Sequence, residues 1–188
     1  VEVADQAIRV IEKLNEQGLN ASYEKDLVGG ASYDVNGEPL TNSVLEKAKN
    51  SDAILLGAVG GSKWDDVERS KRPEAGLLGL RKELELFANL RPALVFDALV
   101  SASTLKNEVV NNLDIMIVRE LTGGVYFGQP RGIEDTPNGK KAIDTQIYYD
   151  YEIDRIARVA FDLARKRNNK LTSVEKANVM ETGVLWRE

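Results

Sequence analysis

Arg119-Glu-Leu-Thr-Gly-Gly-Val-Tyr-Phe-Gly128 is the stretch whose reading decides the fold and the chemistry of this chain. It follows an apolar run, Ile115 to Val118, with the pattern of a buried parallel strand. A cation, a carboxylate and a phenol therefore emerge together where a strand ends. In open α/β sheets the carboxyl ends of strands are where ligands bind. Gly123 and Gly124 permit a close backbone approach or a positive φ that a bulkier residue would resist. The block has the composition of an active site rather than of a plain turn.

Working outward, the strand Asp114 to Val118 is preceded by a helix from about Thr104 to Asn111 and a strand from Arg91 to Phe96. Downstream, Val125 to Tyr151 carries Pro130, Gly132, Pro137 and Gly139 between β-favouring residues. This stretch reads as a long hairpin or arm with a polar tip near Asn138-Gly139. A lone two-stranded ribbon is marginal in water, so the arm is expected to pack on something, a second subunit being the natural candidate. A solvated surface loop is the alternative, although structureless loops of this length are uncommon. From Glu152 to Lys166 the residues Ile153, Ile156, Ala157, Ala160, Phe161 and Ala164 mark one face of a helix, and Arg165-Lys-Arg167 suits its dipole. Leu171 to Val174 then reads as a strand that delivers Glu175, Lys176 and Asn178.

Towards the amino terminus, Val3, Ala7, Ile8, Ile11 and Leu14 define an amphipathic helix, and Gly18 is a fitting stop. Leu19 to Tyr23 reads as a strand, Thr41 as the cap of a helix reaching Lys49, and Ala53 to Leu56 as a short buried strand. Gly57-Ala-Val-Gly-Gly61 follows. Pro73 and Glu74 open a further helix, Gly76 to Leu86. Both ends read as unfinished: Val1 falls almost inside a helix, and Val184 to Glu188 begins another. The chain is expected to be a piece of something longer.

With 188 residues, 43% hydrophobic and 29% charged, the chain suits one large or two small globular domains. A formal charge of −5 argues against a broad nucleic-acid surface, and no apolar run approaches the roughly 20 residues that span a bilayer. There are no cysteines and no histidines, which removes disulfides, thiolate zinc sites and every Ser-His or Cys-His mechanism from this chain. Acid–base work must fall to Lys, Tyr or carboxylates, and a metal held here would be a hard cation such as Mg²⁺ or Mn²⁺. A cytoplasmic protein fits this composition.

Arg81, Arg91 and Arg119 flank the sites that the sheet should create, and guanidinium forks match carboxylates. Three converging on one pocket would suit a substrate with two or more carboxylates. For any single one of them, among 25 Lys and Arg, a solvated or ion-paired surface residue is the commoner case, less so for Arg119, which stands between a strand and a glycine pair. Tyr126 and Lys176 are the candidate acid and base, with a packed aromatic and a surface lysine as the alternatives. Phenols and amines ordinarily titrate near about 10 and 10.4, so the site would have to shift them. The Gly57 to Gly61 run resembles a nucleotide loop without being GxGxxG, and a tight loop beside a cleft explains it as well.

Gly60-Gly-Ser-Lys-Trp-Asp65, Arg72-Pro-Glu-Ala-Gly-Leu-Leu-Gly-Leu-Arg-Lys-Glu-Leu84, Phe87-Ala-Asn-Leu-Arg-Pro92, the Arg119 to Gly128 block and Thr172-Ser-Val-Glu-Lys-Ala-Asn-Val179 together resemble the isocitrate/isopropylmalate dehydrogenase family of β-decarboxylating dehydrogenases. The likeness covers essentially all 188 residues, with the motifs in family order. It implies an α/β fold, a two-domain sandwich with mixed central sheets that is incomplete in this chain, plus a β arm. Residues 1–88 would belong to a cofactor-side first domain and 89–188 to a second, dimerisation domain, with the arm at about 125–151.

The implied reaction is oxidation of a 2-hydroxy acid with NAD and loss of its β-carboxylate as CO₂, helped by Mg²⁺ or Mn²⁺. By matching motif, Arg81, Arg91 and Arg119 would clamp the substrate. Tyr126 would serve the proton relay to the enolate carbon. Lys176 would be the base on the hydroxyl, reaching in from a partner subunit. Glu74 would lie near the nicotinamide ribose and Asn178 by the cofactor or substrate. Leu77 and Leu78 offer an apolar wall that suits an isopropyl group and leaves a third carboxylate unpaired, favouring the isopropylmalate branch over the isocitrate one.

The family's opening Gly-Asp-Gly-Ile-Gly-Pro-Glu run, its metal-holding aspartates and its adenosine loop have no counterpart in the sequence. No metal ligand is therefore assigned. The resemblance implies the amino-terminal half of a working NAD-dependent dehydrogenase, with no turnover expected of the 188 residues alone; the alternatives are a non-catalytic fragment that keeps only the substrate-side residues and the dimerisation arm, or a paralogue acting on another 2-hydroxy diacid.

Overall fold

The stripe Val3, Ala7, Ile8, Ile11 and Leu14 lies on helix α1, Glu2–Asn15, which carries Glu2 and Asp5 in its first turn and Lys13 in its last. A computed structural model describes residues 2–188; the expected start at Val1 lies outside the described residues. The chain divides into two units, one ending at Glu85 and one running Leu86–Glu188.

In the first unit α1 is followed by α2 (Gly30–Asn36), α3 (Asn42–Lys49) and α4 (Pro73–Glu83). Thr41 caps α3 as its sequence predicts, its hydroxyl accepting from the Val44 N–H at 3.3 Å. Pro73 sits at the first helical position of α4, where its missing N–H costs nothing. Gly76 lets α4 approach residue Pro39 so closely that a Cβ there would lie 2.6 Å from the Pro39 carbonyl oxygen. Helix α2 was not anticipated. It follows Gly29, at φ 68, and the Trp64 indole lies against Gly30, whose missing side chain makes the room.

The expected strands at Leu19 to Tyr23 and Ala53 to Leu56 are absent. A strand exists only as one rail of a hydrogen-bonded ladder, and no described residue of this unit forms one. Ala21 instead donates its N–H to Asn15 Oδ1 at 2.8 Å and accepts at its carbonyl from Asn15 Nδ2 at 2.7 Å. Leu55, expected to be buried, is 62% exposed.

In the second unit β1 (Ala88–Leu94) and β2 (Asp114–Glu120) pair antiparallel, Ala88 facing Glu120 and Leu94 facing Asp114. The Ile115 to Val118 run is thus neither parallel nor buried on both faces: Ile115 and Ile117 are 47% and 48% exposed, while Met116 and Val118 point to the covered side. Between these strands the expected helix shrinks to α5 (Asn107–Val110), after a 3-10 stretch at Asp97–Ala102. The hairpin arm is present. β3 (Arg131–Thr136) and β4 (Gly139–Asp144) pair antiparallel around Pro137-Asn138, with Glu134 opposite Lys141 and Asp135 opposite Lys140. Lys141 Nζ lies 2.8 Å from Glu134 Oε1.

Helix α6 (Asp150–Arg165) lies against β2 and buries Ile156, which is 3% exposed; α7 (Glu181–Arg187) follows. Leu171 to Val174 is not a strand, and Val174 is 85% exposed. The result is a mixed α/β architecture with small antiparallel sheets. Among the described residues no helix is long and apolar enough to cross a membrane.

Thr41→Ala should lower the unfolding free energy by about 1 kcal/mol, the ordinary worth of such a cap. Urea denaturation of the two chains checks it, and an unchanged midpoint would show that the hydroxyl does not serve α3.

Candidate active site

Side chains alternate along β2, so consecutive residues go to opposite faces. Arg119 stands on the exposed face with Ile117 and Ile115, and Glu120 turns inward toward α6. Register then places the two strand arginines. Asn89 faces Arg119 and Arg91 faces Ile117, which puts Arg91 and Arg119 on one face of the sheet as diagonal neighbours, about 7–8 Å apart. The Arg119 guanidinium lies over the Tyr126 ring, 4.9 Å from its centroid. Arg91, Arg119 and Tyr126 are therefore gathered in one region of the second unit.

The carboxylate of the same block does something else. The Glu120 side chain is buried and accepts from the Gly123 N–H at 2.5 Å and the Thr122 hydroxyl at 3.2 Å. Arg155, from α6, pairs with it and donates to Thr122 Oγ1 at 2.6 Å. Arg155 also lies 3.9 Å from Glu152, whose other oxygen accepts from the Tyr149 N–H at 2.9 Å and so caps α6. Phe87 and Tyr151 present their rings to the same guanidinium, at 4.7 and 5.4 Å. Glu120 is thus an anchor of the turn and not a reacting group. The signal was available in the sequence: two residues from Val118 on a period-2 strand, Glu120 had to share the covered face.

The glycine pair serves this anchor. A Cβ on Gly123 would lie 2.8 Å from Glu152 Oε2, and Gly124 has φ 78 with the Tyr148 hydroxyl 2.5 Å from where its Cβ would be. Gly124 N–H bonds to the Ile147 carbonyl at 2.7 Å, tying the turn to the residues that return from the arm. Burial, helped by the carboxylates of Glu120 and Glu152, pushes the Tyr148 phenol above its ordinary value, against a smaller opposing pull from Arg119.

Lys176 lies on an exposed loop and lines a cleft of about 160 Å³ with Tyr148, Glu175, Met180, Thr182 and Trp186. Arg119 and Tyr126 are not part of that lining. Asn178 is exposed in the turn that follows. In the first unit, Glu74, Leu77 and Arg81 stand at i, i+3 and i+7 on α4, one stripe of the helix. The Glu74 carboxylate abuts Gly60, within the glycine run.

The whole chain, residues 1–188, matches the model of the isocitrate/isopropylmalate dehydrogenase family. The chain belongs to that family. It is 62% identical over its full length to a 3-isopropylmalate dehydrogenase of Rhodopseudomonas palustris (strain BisB18), of which it covers 51%. It is 61% and 58% identical to the proteins of the same name from Rhodospirillum rubrum and Chromohalobacter salexigens, covering 51% and 52% of them. Among solved structures it is similar to a beta-decarboxylating dehydrogenase from Thermococcus kodakarensis in its apo form, with TM-score 0.67 and 30% identity over 99% of this chain and 48% of that one. It is also similar to isocitrate dehydrogenase from Methylococcus capsulatus, with TM-score 0.70 and 27% identity over 98% of this chain and 50% of that one. The chain spans about half the length of the relatives it matches.

The family's metal finds no ligand set here. Among the described residues no three acidic or other ligating side chains come together to hold an ion, so no step is derived through one. Glu74 offers an exposed carboxylate that could accept from a hydroxyl, and its Oε1 occupies the space beside Gly60.

Two outcomes follow from the geometry. Glu120→Ala removes the main partner of the half-buried Arg155, and should cost about 2 kcal/mol in chemical denaturation, the scale of hydrogen bonds to a charged group; a loss under about 1 kcal/mol would remove the anchor role. The raised Tyr148 phenol contributes stability that is complete below about pH 10 and lost as pH climbs through its folded value. Spectrophotometric titration should show Tyr148→Phe losing a late-ionising phenol and falling less steeply in stability at alkaline pH.

Proposed function

We propose that the chain supplies the substrate side of an NAD-dependent dehydrogenase that converts 3-isopropylmalate to 4-methyl-2-oxopentanoate in leucine biosynthesis. The observation that carries this reading is Arg119 stacked on Tyr126 beside Arg91, in a chain 58–62% identical to proteins named for that substrate. Residues 1–88 would form part of the cofactor-side domain and 89–188 part of the dimerisation domain. The arm at about 125–151 would join two subunits of a cytoplasmic homodimer.

The residues divide the chemistry as follows. Arg91 and Arg119 on the sheet, with Arg81 on α4, hold the substrate carboxylates before the reaction begins. Lys176 takes the proton of the 2-hydroxyl as the hydride leaves that carbon. Glu74 would hold a ribose hydroxyl of NAD and Asn178 would lie beside it, and the bound nicotinamide would supply the hydride acceptor. The β-carboxylate then departs as CO₂, its bonding pair moving toward the new carbonyl. The resulting enolate is discharged when the Tyr126 hydroxyl gives its proton to carbon. Positive charge from the arginines stabilises the electron-rich stage. Leu77 packs the isopropyl group, where a third carboxylate would be left unpaired.

The test is isopropylmalate-dependent NADH formation by a chain extended to its relatives' length. Lys176→Ala should reduce oxidation by roughly 100-fold or more, in the range expected of a lost general base, and Leu77→Ser should chiefly change substrate choice. An undiminished rate in the lysine variant takes the base role away from it.

A further inference from the structure

We propose that Tyr148 is a positioning residue that holds the Tyr126-bearing turn and the Lys176-bearing loop in one arrangement. The inference rests on the roles given above to those two residues. Its observations are independent of them.

On one side, the phenol end of Tyr148 occupies the space that a side chain on Gly124 would need, with Oη and Cζ 2.5 and 2.8 Å from the ideal Cβ position. The ring also lies against Gly123, its Cδ1 3.0 Å from the corresponding point. The turn that leads into Tyr126 therefore has Tyr148 as its floor. On the other side, the same ring meets Trp186 edge-on, with centroids 5.4 Å apart and planes at 70°. The Trp186 indole donates to Ser173 Oγ at 3.0 Å, at the start of the loop that carries Lys176.

Two further ties keep that loop in place. Gly183 of α7 packs so closely on it that a Cβ there would lie 2.6 Å from the Lys176 carbonyl carbon and the Ala177 nitrogen. Gln146, two residues before Tyr148, donates to Thr182 at 2.9 Å. Tyr148 itself lines the cleft with Lys176. A continuous packed path thus runs from Gly124 through Tyr148 and Trp186 to Ser173, and Tyr148 is the member common to both halves.

The test is a double-mutant cycle on the 188-residue chain, read by limited acetylation with acetic anhydride and peptide mass spectrometry. The quantity is the Lys176 rate divided by that of Lys106, an exposed lysine of the same unit. Gly124→Ala forces the Tyr148 ring to move, and should change the ratio roughly fivefold, the scale of coupling between neighbours. In a Tyr148→Ala background the same substitution should change it by less than about twofold. Tyr148→Leu, which keeps apolar bulk, serves the same comparison if the alanine chain fails to fold. An equal effect of Gly124→Ala with and without Tyr148, or no effect in the parent chain, overturns the proposal. Loss of turnover in Lys176→Ala judges the catalytic assignment separately, so the two failures are distinguishable.

Discussion

The charge cluster formed by the buried Glu120 and Glu152 with the half-buried Arg155 is the constraint on which the second unit depends. It joins the end of β2, the turn at Thr122-Gly123 and the start of α6 through one guanidinium. Paired charges in a low-dielectric setting are costly to remove singly, so each member fixes the others. Within this cluster Arg155 Nε is buried with no hydrogen-bond partner, a cost that the pairing of the rest of the guanidinium must offset. Because strand side chains alternate, fixing Glu120 inward also fixes Arg119 outward. The arginine–tyrosine pair is presented by the strand that the cluster holds.

A similar economy operates on α4. One stripe carries Glu74, Leu77 and Arg81, so rotation of a single helix sets an acidic acceptor, an apolar wall and a cation at once. Gly76 and Leu80, on other parts of its surface, are buried, and the first unit holds the helix by packing there. The groups proposed for recognition and the groups that pack are separated by the helical period rather than by distance along the chain.

The helices were legible because their signals are local. Thr41 as a cap, Pro73 at a first turn and the Ile153 to Ala164 stripe each act within a few residues. The arm was legible for the same reason, with Pro and Gly punctuating two short β-favouring runs. The strands expected at Leu19, Ala53 and Leu171 do not form. Their apolar runs state a propensity, whereas a ladder needs a second rail, and none pairs with them here. Site residues divide similarly. Arg91, Arg119 and Tyr126 could be singled out from composition and setting, but their shared region depends on an antiparallel register that sequence spacing does not encode. Glu120 was misread as part of the site because the strand was read without assigning its two faces. Tyr148 carried no local signal at all, since its neighbours Gly124 and Trp186 are far from it along the chain.

The arm's opposed acids and lysines have a consequence for the fidelity of pairing. In the observed alignment both Glu134 and Asp135 face a lysine. Sliding one strand by a single position would keep one such match and turn its side chains to the opposite face; sliding by two would keep neither. A short ribbon with little apolar surface of its own thus distinguishes its proper alignment from its nearest errors by charge.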